Sequence, residues 1–218
     1  MATDADEDAR FSLVAERRRT LAAYLRALPE DRWRAPSLCG GWSVREVAGH
    51  LVTPLLQSAP RLGWEVVRCG GSVDRALDRL ARRYALLPTA DLVDVLDEHA
   101  DDRFTPPGFG AIAPLTDSVI HTLDVRWSLE DREPIPPPAA RAVLQFLTTP
   151  KAKAFGARGV VPGVRWEAND LDWSAGDHGD PRVSGPTDAL LLVLAGRRAG
   201  LDALSGPGAA VVTQRLAR

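Results

Sequence analysis

Between Phe11 and Leu28 the apolar residues Leu13, Val14, Leu21, Tyr24, Leu25 and Leu28 return at helical spacing among arginines. That pattern predicts an amphipathic helix stopped by Pro29. A turn-rich stretch with Pro36, Gly40 and Gly41 follows, and Ser43 then stands three residues before Glu46. Side chains at that spacing satisfy each other's free backbone amides at a helix start, so a second helix is predicted there, carrying His50. Helical patterns over 72–87 and 90–101 are separated by Pro88, and two more cover 111–129 and, behind Pro136 to Pro138, 137–149.

After about Lys151 the texture changes. VRWEAND and DWSAG read as short strands separated by turn residues and form a β-hairpin, DHGDPRVSG follows, and TDALLLVLAGRR reads as a helix. The expected fold class is therefore α+β, with a helical bundle over residues 1–157 and a small α/β domain over 158–218.

Composition narrows the functional classes. The 218 residues are 45% hydrophobic and 26% charged with a formal charge of -2, so a buried core is attainable and there is no basic footprint for nucleic acid. The N-terminus begins acidic without an apolar stretch, and no window approaches the roughly eighteen apolar residues of a membrane span. Cys39 and Cys69 lack close paired spacing, which fits a reducing cytoplasm.

Candidate chemistry lies in the 111–129 helix. Asp117 and His121 are four residues apart, about 40° from one another on one face, and Asp124 returns to that face three residues later. Two readings fit this arc: an ordinary solvated face, or a metal site. The same stretch contains no Lys or Glu and one Arg, while Ile112, Leu115, Val119, Ile120, Leu123 and Trp127 fill most of the wheel. Such a helix is expected to be largely buried, where carboxylates need a cation or hydrogen-bond donors. Acid and imidazole at this spacing need one more protein ligand to make a three-ligand site with an open position, and His50 is the candidate third. Gly49 beside it would let another helix approach closely. His99 and His178 sit in a charged helix end and a turn, and Trp42 is expected to pack the turn into the bundle.

GGWSVREVAGHL (40–51) together with DSVIHTLDVR (117–126) resembles the mycothiol-dependent maleylpyruvate isomerase family of actinobacteria, within the DinB-like metal-binding bundle superfamily. ANDLDWSAG and VSGPTDALLLVLAGR are similar to the small α/β, sterol-carrier-like domain that follows the bundle in that family. The resemblance implies a four-helix bundle binding a divalent metal, usually zinc, through His50, Asp117 and His121. Aspartate stands where the family has glutamate, one methylene shorter, so Asp124 remains open as an alternative carboxylate ligand. The resemblance also implies functional roles for Asp124 and Arg197. Arg126 or Arg197 would hold a carboxylate of substrate or cofactor, against alternatives of a structural salt bridge and of helix-end charge. The implied activity is a metal-dependent transferase or isomerase that presents mycothiol, a low-molecular-weight thiol, as a metal-activated thiolate to a small electrophile. A non-catalytic metal-binding module with a structural or regulatory role is the alternative, and monomer and homodimer are both open.

Overall fold

The structure, a computed structural model, describes residues 3–155 and 159–217. The chain folds into two compact units, Met1–Asp131 and Arg132–Arg218. The boundary expected between residues 157 and 158 falls at positions outside the described residues. The helix at 137–147 packs within the second unit.

The first unit starts with α1 (Asp4–Arg26), which begins a full seven residues before the apolar pattern does. Its start is specified by polar chemistry: Thr3 and Asp6 form a reciprocal capping box, and Asp4, Asp6 and Glu7 place negative charge on the positive end of the helix. After α1, α2 (Val44–Leu56) begins where the Ser43 and Glu46 spacing predicts. The Ser43 amide donates to Glu46 Oε2 at 2.7 Å and the Glu46 amide to Ser43 Oγ at 3.4 Å. Then come α3 (Ala59–Arg68), α4 (Val73–Tyr84), α5 (Thr89–Glu98) and α6 (Ile112–Ser128). The sequence pattern does not predict α3. Pro60 and Gly63 interrupt its periodicity, and none of its residues is buried, so no core-facing stripe advertises it.

Four helices share one core. Leu21, Ala22 and Leu25 of α1 meet Val47, Ala48, Leu51 and Val52 of α2, Leu92, Val93 and Leu96 of α5, and Val125 of α6, with Trp33 closing the cluster. Burial of this apolar surface is the main favourable term holding the bundle together. The α3 and α4 pair flanks that core, with Tyr84 packed against it, and α4 docks on α2 at Gly49. A Cβ at Gly49 would lie 2.4 Å from the Ala81 carbonyl oxygen and 2.8 Å from the Ala85 nitrogen, so only glycine permits this crossing. On the other side, buried Arg18 of α1 donates from Nη1 to the carbonyls of His99, Ala100 and Asp102, satisfying the end of α5. Among the described residues no helix is long and apolar enough to cross a membrane.

The second unit holds α7 (Pro137–Leu147), β1 (Arg165–Ala168), β2 (Ser174–Ala175), β3 (Arg182–Gly185), α8 (Thr187–Leu194) and α9 (Ala209–Leu216). Its sheet runs β2-β1-β3. β2 pairs antiparallel with β1 as the expected hairpin, while β3 returns parallel on the other edge. Every residue of α8 is buried, which accounts for its unbroken apolar run, and α7 packs against it. The fold class is thus α+β as expected, helical bundle first and small α/β unit second.

Candidate metal centre

Buried faces of α2 and α6 meet at the candidate site, with the turn before α2 beside them. His50 projects from the middle of α2, and Asp117 and His121 stand one turn apart on α6. His50 Nε2 lies 3.2 Å from Asp117 Oδ1, and His121 Nε2 lies 3.5 Å from the same oxygen. The two imidazole centroids are 4.8 Å apart and the rings lie nearly edge to face. One ligand atom from each of the three residues falls within 4.8 Å of the others. The fold thus brings together the three side chains that the sequence singles out, from helices 67 residues apart in the chain.

The fourth polar residue of the arc settles on a different task. Asp124 is fully buried, and its Oδ2 accepts from His121 Nδ1 at 2.9 Å. A carboxylate is acceptor-only, so the Nδ1 proton stays on the ring and the Nε2 face turns toward Asp117 and His50. This is how a carboxylate fixes the tautomer and orientation of a metal-binding imidazole. His50 has no such support: its Nδ1 is buried without a hydrogen-bond partner among the described residues. Packing holds it instead. The Trp42 ring lies 5.1 Å from His50 and 6.2 Å from His121, tilted over both.

Trp42 packs the turn, as expected, and does more than that. Its Nε1 donates to Asp78 of α4 at 2.8 Å. Asp78 accepts from Arg82 Nε at 3.1 Å, and Arg82 Nη1 reaches Glu46 Oε1 at 2.7 Å, the same glutamate that caps α2. The hydrogen bonds from Trp42 and Arg82 hold the Asp78 carboxyl below its ordinary pKa. The turn is also tied to α6, because the Leu38 amide donates to the Asp124 carbonyl at 3.1 Å. That tie brings in a residue given no role from the sequence. Cys39, with His121 and Asp124, forms a second group whose candidate ligand atoms lie within 4.8 Å of one another. Nothing in the spacing of Cys39 signals this, since the contact is made by the fold of the turn.

Burial and charge pull the site in opposite directions. Burial pushes the Asp117 carboxyl up, but the His50 charge and the hydrogen bonds from both imidazoles outweigh it and hold Asp117 well below the usual carboxylate range. Burial pulls His121 down, yet its bonds to Asp117 and Asp124 win and raise it to about 9. In this state His121 is an imidazolium clasped between two carboxylates. The proton at its Nε2 face stands where a cation would sit, and two imidazoles plus one carboxylate are donors that borderline divalent ions accept. The residues therefore fit a divalent ion, with Asp117 rather than Asp124 facing both imidazoles.

The remaining candidates have other contacts. Arg126 is buried, binds Asp131 through Nε at 3.1 Å and Nη2 at 2.9 Å, and stacks on the Tyr24 ring at 4.8 Å. Arg197 belongs to the second unit, where it follows α8 and donates from Nη1 to the Ala195 carbonyl at 2.6 Å. His99 bonds Asp102 at the end of α5, and His178 is exposed in its turn.

Residues 14–105 match the family model described as the mycothiol maleylpyruvate isomerase N-terminal domain. The match includes His50 and the turn before it and ends short of α6. Among solved structures, a mycothiol-dependent maleylpyruvate isomerase aligns with TM-score 0.60 at 16% identity, covering 96% of this chain and 97% of that one. A histidine-to-alanine mutant of such an enzyme aligns with TM-score 0.57 at 15% identity over the same shares. At those identities the likeness establishes the fold of the whole chain and not its chemistry. No curated protein matches by sequence. Residues 14–105 thus match the mycothiol maleylpyruvate isomerase N-terminal domain, and the chain shares its fold with the two solved isomerase structures.

Proposed function

We propose that this protein is a metal-dependent, mycothiol-using isomerase or transferase, working in the cytoplasm on a small electrophilic substrate. The observation that carries the reading is the convergence of His50 Nε2 and His121 Nε2 on one Asp117 oxygen, with Asp124 locking the second imidazole from behind. The family-model match over residues 14–105 supports the choice of thiol and reaction class, and the site offers a reason a thiol would be activated there.

In this reading His50, Asp117 and His121 hold a divalent ion, zinc by the character of the donors. When bound, such an ion lowers the pKa of a coordinated thiol and presents a thiolate at neutral pH. The chain's own residues do the rest. Asp124 keeps the Nδ1 proton on His121, so the Nε2 lone pair is available to the ion. Trp42 lies against both imidazoles and limits their rotation, and both rings are buried between α2 and α6, which strengthens their charge interactions. Arg197, and after it Arg126, is the guanidinium proposed to hold a substrate or cofactor carboxylate.

Thiol consumption with mycothiol and a panel of small electrophiles, maleylpyruvate among them, tests this directly. The zinc-loaded wild type is expected to turn over at least one electrophile, and His50→Ala none. Undiminished turnover by wild-type protein stripped of all divalent metal would overturn the reading.

A further inference from the structure

His121 faces two ways, and only its Nε2 face would touch the ion of the centre described above. Its Nε2 lies 3.5 Å from Asp117 and its Nδ1 lies 2.9 Å from Asp124, and Cys39 forms a compact group with His121 and Asp124. We infer that Cys39, His121 Nδ1 and Asp124 form a second, thiolate-containing site for a soft divalent cation such as Cd(II).

The turn that carries Cys39 is built to place it. Ser37 Oγ accepts from the Cys39 amide at 3.1 Å, the Cys39 carbonyl accepts from the Trp42 amide at 3.0 Å, and the Leu38 amide is tied to the Asp124 carbonyl at 3.1 Å. These bonds fix the backbone on both sides of Cys39, beside Asp124. Two of the three donors, His121 and Asp124, are buried, and Cys39 is only partly exposed. One ligand atom from each lies within 4.8 Å of the others, a span that a single cation can bridge with small side-chain shifts.

The donor set selects the ion. Sulfur, imidazole nitrogen and one carboxylate favour a thiophilic cation, whereas the Nε2 side offers nitrogen and oxygen only. Binding here replaces two protons, one on the Cys39 thiol and one on His121 Nδ1, so the cation takes over the link that the proton now makes between His121 and Asp124. Cations on both sides of one imidazole repel, so loading of this site weakens loading of the other. The inference uses the same ring as the proposed function but does not need an ion at Nε2, and the two can fail separately.

The test is a Cd(II) titration of metal-free protein followed by its thiolate-to-cadmium charge-transfer absorption in the ultraviolet. The band is expected in wild type and in Cys69→Ser, and it is expected to vanish in Cys39→Ser. It should persist in His50→Ala, or in Asp117→Asn should the former fold poorly, because neither side chain belongs to this donor set. A band that survives Cys39→Ser, or Cd(II) binding in wild type without a thiolate band, or no Cd(II) binding at all, overturns the proposal. Loss of the band in His50→Ala and Asp117→Asn together would assign the sulfur contact to the Nε2 centre and overturn it as well.

Discussion

The two imidazoles of the candidate centre are held by opposite means. His121 is gripped chemically, by Asp124 behind it and Asp117 in front. His50 is gripped sterically: its outer nitrogen has no hydrogen-bond partner among the described residues, and the Trp42 ring with the tight α2 and α4 crossing at Gly49 keeps it in place. A hydrogen-bonded support fixes both the tautomer and the direction of a ring, whereas packing fixes the direction alone. The α6 half of the site should therefore be sensitive to charge and pH, and the α2 half to volume.

Four experiments break or sharpen that contrast. Removing a ligand has the largest effect: His50→Ala and Asp117→Ala should each abolish stoichiometric zinc loading, read by elemental analysis after dialysis. Next comes the chemical support. Asp124→Ala should weaken zinc binding roughly 10-fold to 100-fold with the ligands untouched, because the buried ring loses its anchor. A competition titration measures it, and wild-type affinity in that variant would show that the hydrogen bond orients nothing. The steric support follows. Gly49→Ala pushes a methyl into the Ala81 carbonyl and should cost about 1–3 kcal/mol in chemical denaturation, with His50 displaced and zinc binding weakened alongside.

The last test is that of pH on the metal-free chain. His121 has its pKa raised to about 9 in the folded state, above the ordinary histidine value near 6.5. A raised folded pKa means stability that is fully present below about 6.5 and is lost as pH climbs through about 9. Asp117, held low, contributes stability above the ordinary aspartate range and loses it in acid. Metal-free protein should accordingly lose denaturation free energy between about pH 6.5 and 9. Zinc affinity should rise across the same interval, since the cation displaces the His121 proton. In Asp124→Asn the loss should shrink; an identical pH profile would mean that the Asp124 contact does not raise His121.

What is legible in the sequence follows the same division. The α2 start is readable because Ser43 and Glu46 cap by spacing alone, and α6 because its missing Lys and Glu betray burial of its polar arc. The pairing of His50 with Asp117 and His121 is readable because only histidines and acids of that spacing invite one shared cation. The choice between Asp117 and Asp124 is not, since both lie on one helical face and only the position of α2 decides which of them meets His50. Cys39 and the second task of Trp42 are equally hidden, because a turn places its side chains by tertiary contacts that no periodicity records. The start of α1 at Asp4 is hidden for a different reason: charge and capping specify it, and the apolar pattern begins only at its third turn.

The central claim is that one divalent ion is shared by His50, Asp117 and His121. Zinc content measured after stripping, reloading and exhaustive dialysis tests it most directly. The account predicts one zinc per chain in wild type and in Cys39→Ser, and close to none in His50→Ala, Asp117→Ala and His121→Ala. Wild-type protein that retains no zinc, or all three ligand variants retaining a full equivalent, would contradict it.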